Sequence, residues 1–244
     1  MSETILRTED VSIHFGGLVA VDKVNIHLDK GEILGLIGTN GAGKTTLFNM
    51  IAGALKPTSG QIYLRDQQIG GKKANKICKL GIGRTYQVVQ PFTNLTVLDN
   101  VTVGCLNRTN NVEEAKEKAA EIINKVGLGH RMNVVGSSLG LPDLKRMEIA
   151  RALGTQPEIL LLDEVMAGLN PTECQDAMDL VMKIRDDGMT IIVIEHVMKA
   201  IMNISDRIYV MNQGRLIAEG TPSEISRNQE VIDSYLGGTV NVTG

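Results

Sequence analysis

Apolar and polar residues alternate near the start of the chain, in VSIHF (11–15) and VNIHL (24–28). A period of two predicts short antiparallel strands over Thr8–Leu28, turning at Gly16-Gly17. EILGLI (32–37) is a compact apolar run and predicts a buried strand. It leads through GTNGAGKTT into TLFNMIAGAL, an apolar helix that PTSG (57–60) should stop, and QIYL (61–64) returns to a strand. Residues 70–83 are rich in Gly and Lys and read as surface. From 92 to 155 no strand-like run interrupts the chain. Apolar residues at 112, 115, 119, 122, 123 and 126 keep a helical period, and a further helix covers KRMEIARAL (145–153). Strands return at Ile159–Leu162 and Thr190–Ile194, with a helix between them marked by Ala177, Leu180, Val181 and Ile184. Ile208–Met211 and Leu216–Ala218 predict a hairpin around Asn212-Gln213-Gly214, and Ser223–Leu236 a weaker helix.

Strands alternating with helices argue for an α/β fold whose parallel sheet is covered on both faces. Short antiparallel strands precede that sheet and a helical segment is inserted in it. The 244 residues, 43% hydrophobic and 22% charged, fit one domain over 1–244, with a helical subdomain over 92–155 and a tail over 221–244. The net charge of −3 is a poor match to nucleic-acid binding, which needs a basic stripe. No apolar run is long enough to span a membrane, and the first residues, MSETILRTED, lack the apolar segment of a signal peptide. Three scattered cysteines suit a reducing compartment, and four scattered histidines have no ligand spacing.

Gly38-Thr39-Asn40-Gly41-Ala42-Gly43-Lys44-Thr45 fits G-x-x-x-x-G-K-[ST] without a mismatch, between a predicted strand and a predicted helix. Glycines let the backbone fold tightly so that its N–H groups converge on a phosphate, and the helix aims its positive end at the same point. Lys44 adds a mobile charge for the β- and γ-phosphates, and Thr45 a hydroxyl for Mg²⁺. The pattern predicts a nucleotide held by Gly38, Asn40, Gly41, Ala42, Gly43, Lys44, Thr45 and Thr46.

The strand 159–162 ends in Asp163-Glu164. Ligands of open α/β sheets bind at the carboxyl ends of strands. Asp163 is placed there to hold Mg²⁺, and Glu164 to polarise an attacking water. A solvated strand end is the plainer alternative. His196 follows TIIVIE at another strand end, where an imidazole suits a γ-phosphate or a water, though a lone histidine is more often structural.

These residues resemble the nucleotide-binding subunits of ABC transporters along nearly the whole chain. The resemblance implies a P-loop NTPase fold: a RecA-like parallel core with an antiparallel β subdomain and an inserted α-helical subdomain. It implies an ATPase using ATP and Mg²⁺. It identifies Gly38–Thr45 with Walker A, Ile159–Glu164 with Walker B and its catalytic glutamate, and His196 with the switch histidine. Gln87, in RTYQ, matches the glutamine that touches Mg²⁺ near the membrane partner. Phe15 sits where an aromatic stacks on adenine, with a core role as the alternative. Asn170 replaces the usual aspartate of the D-loop. GIGRTYQ, DEVMAGLNP, EGTPSEI and the ending YLGG look like the ATPases of branched-chain amino acid importers.

One segment departs from the pattern. Where the signature L-S-G-G-Q belongs, this chain has Leu139-Gly140-Leu141-Pro142-Asp143. Pro142 brings no N–H, and Asp143 brings the wrong charge towards a phosphate. Ser138 offers a replacement hydroxyl if the loop shifts by two residues. Intact Walker motifs beside a degraded signature lead to an expectation: a head-to-tail dimer with a second, non-identical ATPase. The family implies transmembrane permease subunits docked on Gln87–Asp99, a substrate-binding protein in the whole system, and a place on the cytoplasmic side of the membrane. Export, as in lipopolysaccharide extraction, and import of urea or short amides are the alternatives within the family. A soluble nucleotide-switched module acting on DNA or the ribosome lacks the tandem cassettes, heptads or basic block that it needs.

Overall fold

The alternating stretch at the start of the chain folds as a long hairpin. In the computed structural model, which describes residues 3–236, β1 (Thr4–Phe15) pairs antiparallel with β2 (Leu18–Val24) and with β3 (His27–Asp29). β5 (Ser59–Leu64) lies along β1, and β6 (Gln67–Gln68) follows beside β5. Together they form an antiparallel sheet in the order β2-β1-β5-β6.

The second sheet is built from β4 (Ile33–Gly38), β7 (Ile82–Arg84), β8 (Ile159–Asp163), β9 (Thr190–Ile194), β10 (Arg207–Asn212) and β11 (Arg215–Gly220), in the order β11-β10-β4-β9-β8-β7. All neighbours are parallel except the β10–β11 hairpin. The central strands β4, β8 and β9 are buried at every position and almost wholly apolar, because both faces are covered. Ile33, Leu160, Leu162, Ile191, Val193, Ile208 and Val210 pack into one core with the helices of the insertion. The intervening Leu34, Leu36, Ile159, Leu161, Ile192, Ile194, Tyr209 and Met211 pack into the other, against the antiparallel sheet and α1 (Lys44–Ile51).

Between β7 and β8 run α3 (Val97–Cys105), α4 (Val112–Lys125) and α5 (Leu141–Gly154), in the stretch read as helical. Asn111 caps α4 through the N–H groups of Glu113 and Glu114. Ala115, Ala119, Ile122 and Ile123 form its buried stripe, while Val112, in its first turn, is exposed. α6 (Pro171–Asp186) buries Met178, Leu180, Val181 and Ile184 between β8 and β9.

Several expectations need correction. Residues 70–83 are not simply surface: they hold α2 (Ala74–Lys79) and the edge strand β7, with Ile77, Ile82 and Gly83 buried. Both elements are too short for a period to show, and β7 exists because its backbone pairs with β8. α1 ends at Ile51, short of the predicted helix. Gly53 turns there with φ 73°, and a Cβ would lie 2.5 Å from the Lys72 carbonyl oxygen. α5 begins at Leu141, four residues before the predicted helix, with Pro142 in its first turn. α7 (Met198–Ile204) follows β9 where no helix was read. The tail is two short helices, α8 (Pro222–Ile225) and α9 (Gln229–Leu236), interrupted after Ile225; the ending YLGG extends beyond the described residues.

The parallel pairing of β4 with β10 sets Gly38 beside Met211. A Cβ on Gly38 would lie 2.2 Å from the Met211 carbonyl oxygen, at φ 152°. Nothing lies within 4 Å of a Cβ added to Gly17. Gly38→Ala is therefore expected to lower the unfolding free energy by more than about 1 kcal/mol. Gly17→Ala should leave it within about 0.5 kcal/mol of wild type in urea titrations.

Candidate active site

The loop after β4 is shaped by glycines and closed by a lysine. Gly41 and Gly43 hold φ 80° and 100°, and a Cβ on Gly43 would meet the Ala20 carbonyl oxygen at 2.5 Å. Lys44 is buried, 5% exposed, and its Nζ donates to the carbonyl oxygens of Gly38 at 2.7 Å and Thr39 at 3.1 Å. One of its three protons is left for a ligand. Burial lowers the Lys44 pKa, against the pull of Glu164 and Asp163. No side chain caps α1, so its first-turn N–H groups are also left to a ligand.

A cavity of about 750 Å³ opens over this loop. Asn40, Gly41, Ala42, Gly43, Lys44, Thr45 and Thr46 line it from below, and Gln87, Glu164 and His196 from one side. Phe15, 47% exposed at the end of β1, lines its rim with Leu18 and Val19. The structure thus brings eleven of the thirteen predicted residues to one cavity. Gly38 lies beneath it as the end of β4, and Asp163 lines an adjoining groove that Thr45 and Gln87 share.

The carboxylate of Glu164 is the best-held group in the cavity. Gln87 Nε2 donates to Oε2 at 2.7 Å, and His196 Nε2 lies 2.6 Å from Oε1. Each oxygen keeps a second lone pair for a water. Glu164 itself takes φ 51°, and its N–H donates to the Ile194 carbonyl oxygen at 2.9 Å. Beside it, Asp163 is buried, with Oδ2 3.3 Å from Arg84 Nη2. Arg84 also donates to Asn49 Oδ1 at 2.7 Å. Burial pushes the Asp163 carboxyl up, while Arg84 pulls it down.

The oxygens here fit a hard cation. Asp163 Oδ1 is buried without a hydrogen-bond partner, Gln87 keeps its amide oxygen because Nε2 faces Glu164, and Thr45 adds a hydroxyl. Among the described residues no cluster of three His, Cys, Asp or Glu could hold a metal. A Mg²⁺ ion at Asp163 and Thr45 would therefore complete its oxygen shell with water and phosphate.

The segments with unusual sequence find structural uses. Asp143 Oδ2 lies 3.4 Å from Arg131 Nε, so its charge is met within the chain. Gly140 precedes α5, and Ser138, exposed, ends a 3₁₀ turn that begins at the buried Gly136. Asn170 caps α6 in a reciprocal box with Glu173.

Sequence reasoning missed Gln213, Arg84, Lys145 and Glu195. Gln213, at φ 47° in the β10–β11 turn, reaches the cavity because Gly214 N–H bonds the Ala42 carbonyl, and no local pattern signals that. Lys145 is 6% exposed and donates to the carbonyl oxygens of Glu164 and Gln87. Glu195 is 2% exposed, accepts from Met166 N–H at 2.8 Å through Oε1, and leaves Oε2 unpartnered.

Burial pushes the Glu195 carboxyl from 4.5 up to about 7, the Met166 N–H opposing it and the Glu164 charge adding to it. Between those values the folded chain holds the extra proton. Its contribution to stability is fullest below pH 4.5 and is lost as the pH rises to about 7. Glu195→Gln keeps an oxygen for Met166 N–H and removes the titration. The fall in unfolding free energy from about pH 5.5 to about pH 8 should be smaller in this variant by about 1 kcal/mol or more, measured by urea denaturation.

Comparison with known proteins agrees with this geometry. Residues 21–167 match the ABC transporter family model, and residues 215–241 match the model described as branched-chain amino acid ATP-binding cassette transporter. The chain is 44% identical to the high-affinity branched-chain amino acid transport ATP-binding protein LivG of Escherichia coli K12, over 97% of this chain and 99% of that one. It superposes on the ADP conformation of an ATP-binding cassette of an ABC transporter with a TM-score of 0.88 and 33% identity, covering 96% of this chain and 99% of that one. A dimeric ATP-binding cassette in a post-hydrolysis state, bound to ADP and Pi, gives a TM-score of 0.80 and 25% identity over 89% of this chain and 99% of that one. With the phosphate loop, the acidic strand end and the histidine gathered at one cavity, these matches place the chain in the ABC transporter family, as one of its nucleotide-binding ATPase cassettes.

Proposed function

We propose that this chain is the ATP-hydrolysing subunit of an importer of branched-chain amino acids, working on the cytoplasmic side of the membrane. The observation that carries the reading is the Glu164 carboxylate, held between Gln87 and His196 at the wall of the phosphate-loop cavity. The 44% identity to LivG supports the substrate class. The chain acts as one unit over 1–244, with residues 92–155 as a helical arm and 221–244 as its tail.

Adenine stacks on Phe15, and the phosphates lie in the cradle from Gly38 to Thr46, with the free Lys44 proton on the β- and γ-oxygens. Thr45, Asp163 and Gln87 hold Mg²⁺, which neutralises phosphate charge when bound. Glu164 takes the proton of the water that attacks the γ-phosphorus as the bond to ADP breaks. Gln87 and His196 orient that carboxylate, and the imidazole lies within reach of the γ-phosphate.

Among the described residues no helix is long and apolar enough to cross a membrane, so attachment comes through transmembrane permease subunits. Val88, Phe92 and Leu95 are exposed along the Gln87–Asp99 segment, and Tyr86 is exposed just before it, apolar surface suited to that contact. A substrate-binding protein delivers the solute in the whole system. The degraded signature from Leu139 to Asp143 calls for a second, non-identical ATPase in a head-to-tail dimer, whose own signature completes the site built here.

Two measurements test this reading. Glu164→Gln should lower ATP turnover of the assembled complex by about 10²–10⁴-fold, with nucleotide affinity retained; turnover near wild type would overturn the role of Glu164. With ATP added, Glu164→Gln should elute as a monomer at micromolar concentration and as a dimer once the companion ATPase is present. A stable homodimer with turnover equal to the mixed complex would remove the case for a non-identical partner.

A further inference from the structure

Lys145 is a buried cation that the hydrolytic scheme leaves unused. It sits in the second turn of α5, just after the altered signature, and 6% of it is exposed. Its Nζ donates to the Glu164 carbonyl oxygen at 2.8 Å and to the Gln87 carbonyl oxygen at 3.3 Å. Among the described residues no carboxylate oxygen lies within 4.0 Å of that ammonium. The charges facing it, in order of effect, are Glu195, Glu164, Asp163 and Glu148.

An ammonium buried without a direct counter-ion is costly, and an apolar side chain of similar length would pack with less loss. What the lysine supplies is its donors, and both act on the backbone of residues that meet in the cavity. Glu164 holds φ 51°, a conformation uncommon outside glycine. Its N–H is fixed by the Ile194 carbonyl, and its own carbonyl by Lys145. With the N–H and the carbonyl both pinned, the direction of the side chain is set. The same ammonium holds Gln87, whose amide meets the Glu164 carboxylate at 2.7 Å. Lys145, Gln87 and Glu164 thus close a small ring that joins α5 to the end of β8.

We propose that Lys145 is a positioning residue for hydrolysis: it fixes the backbone of Glu164 and Gln87 so that the carboxylate faces the attacking water, and makes turnover depend on the seat of α5. The inference rests on the reading of Glu164 as the proton acceptor. Lys145 does not line the nucleotide cavity, so binding and turnover should separate.

The test measures kcat and KM for ATP in the assembled membrane complex, and the affinity of a fluorescent ATP analogue, for wild type, Lys145→Met, Lys145→Arg and Glu164→Gln. A carboxylate displaced by about 1 Å predicts a kcat lowered about 10–100-fold in Lys145→Met, with KM and analogue affinity within about threefold of wild type. Lys145→Arg keeps donors and should recover a substantial part of the loss. A Lys145→Met enzyme with kcat within about twofold of wild type would overturn the proposal. So would a parallel loss of turnover and nucleotide affinity, or a Lys145→Arg variant as slow as Lys145→Met, since each marks a merely structural role. If Glu164→Gln itself keeps its turnover, the reading of Glu164 fails, separately from the result at Lys145.

Discussion

The site depends on the parallel alignment of β4, β9 and β8, held by apolar side chains packed on both faces of the sheet. Parallel neighbours end at the same edge, so the phosphate loop after Gly38, the carboxylates after Leu162 and the imidazole after Glu195 emerge together. β9 lies between the other two, which puts His196 next to Glu164 although 32 positions separate them in the chain. Buried apolar area, of the order of 25 cal/mol per Å², thus fixes the geometry of a polar site.

Within that frame, the polar groups at the sheet edge satisfy one another. Glu164 is held through its carboxylate by Gln87 and His196, and through its backbone by Ile194 and Lys145. Thr85 accepts from the Asp163 N–H, which ties the segment before Gln87 to the end of β8. Two of the buried atoms left without partners among the described residues, Asp163 Oδ1 and Glu195 Oε2, belong to residues beside this network. Asp163 Oδ1 is an oxygen that a cation would satisfy. Glu195 bears its isolation by holding a proton up to about pH 7.

The altered signature has a physical reading too. A helix start that binds phosphate needs free N–H groups and no nearby negative charge. Pro142 removes one N–H, and Asp143 adds a carboxylate that Arg131 compensates. The result is a stable start to α5 that is a poor anion site. Stability of this helix and reach towards a partner's phosphate are therefore separable properties of one helix start.

The sequence alone determined the chemistry of the phosphate loop, because the glycines, the lysine and the threonine act within one turn of backbone. It also determined the central strands, since compact apolar runs of four to six residues are covered on both faces. Asp163, Glu164, His196 and Gln87 were legible as candidates from their places after those runs and from family resemblance. Tertiary structure decided what depends on partners distant in the chain. β7 and α2 have too few residues to carry a period and exist through contact with β8 and its neighbours. Gln213 reaches the cavity through the pairing of β10 with β4. Lys145 and Glu195 look like ordinary charged residues in KRMEIARAL and TIIVIE. The burial of Lys145 follows from packing α5 against β7 and β8, and that of Glu195 from its contact with Met166 after β8; there a charge must find backbone groups or keep its proton in place of water.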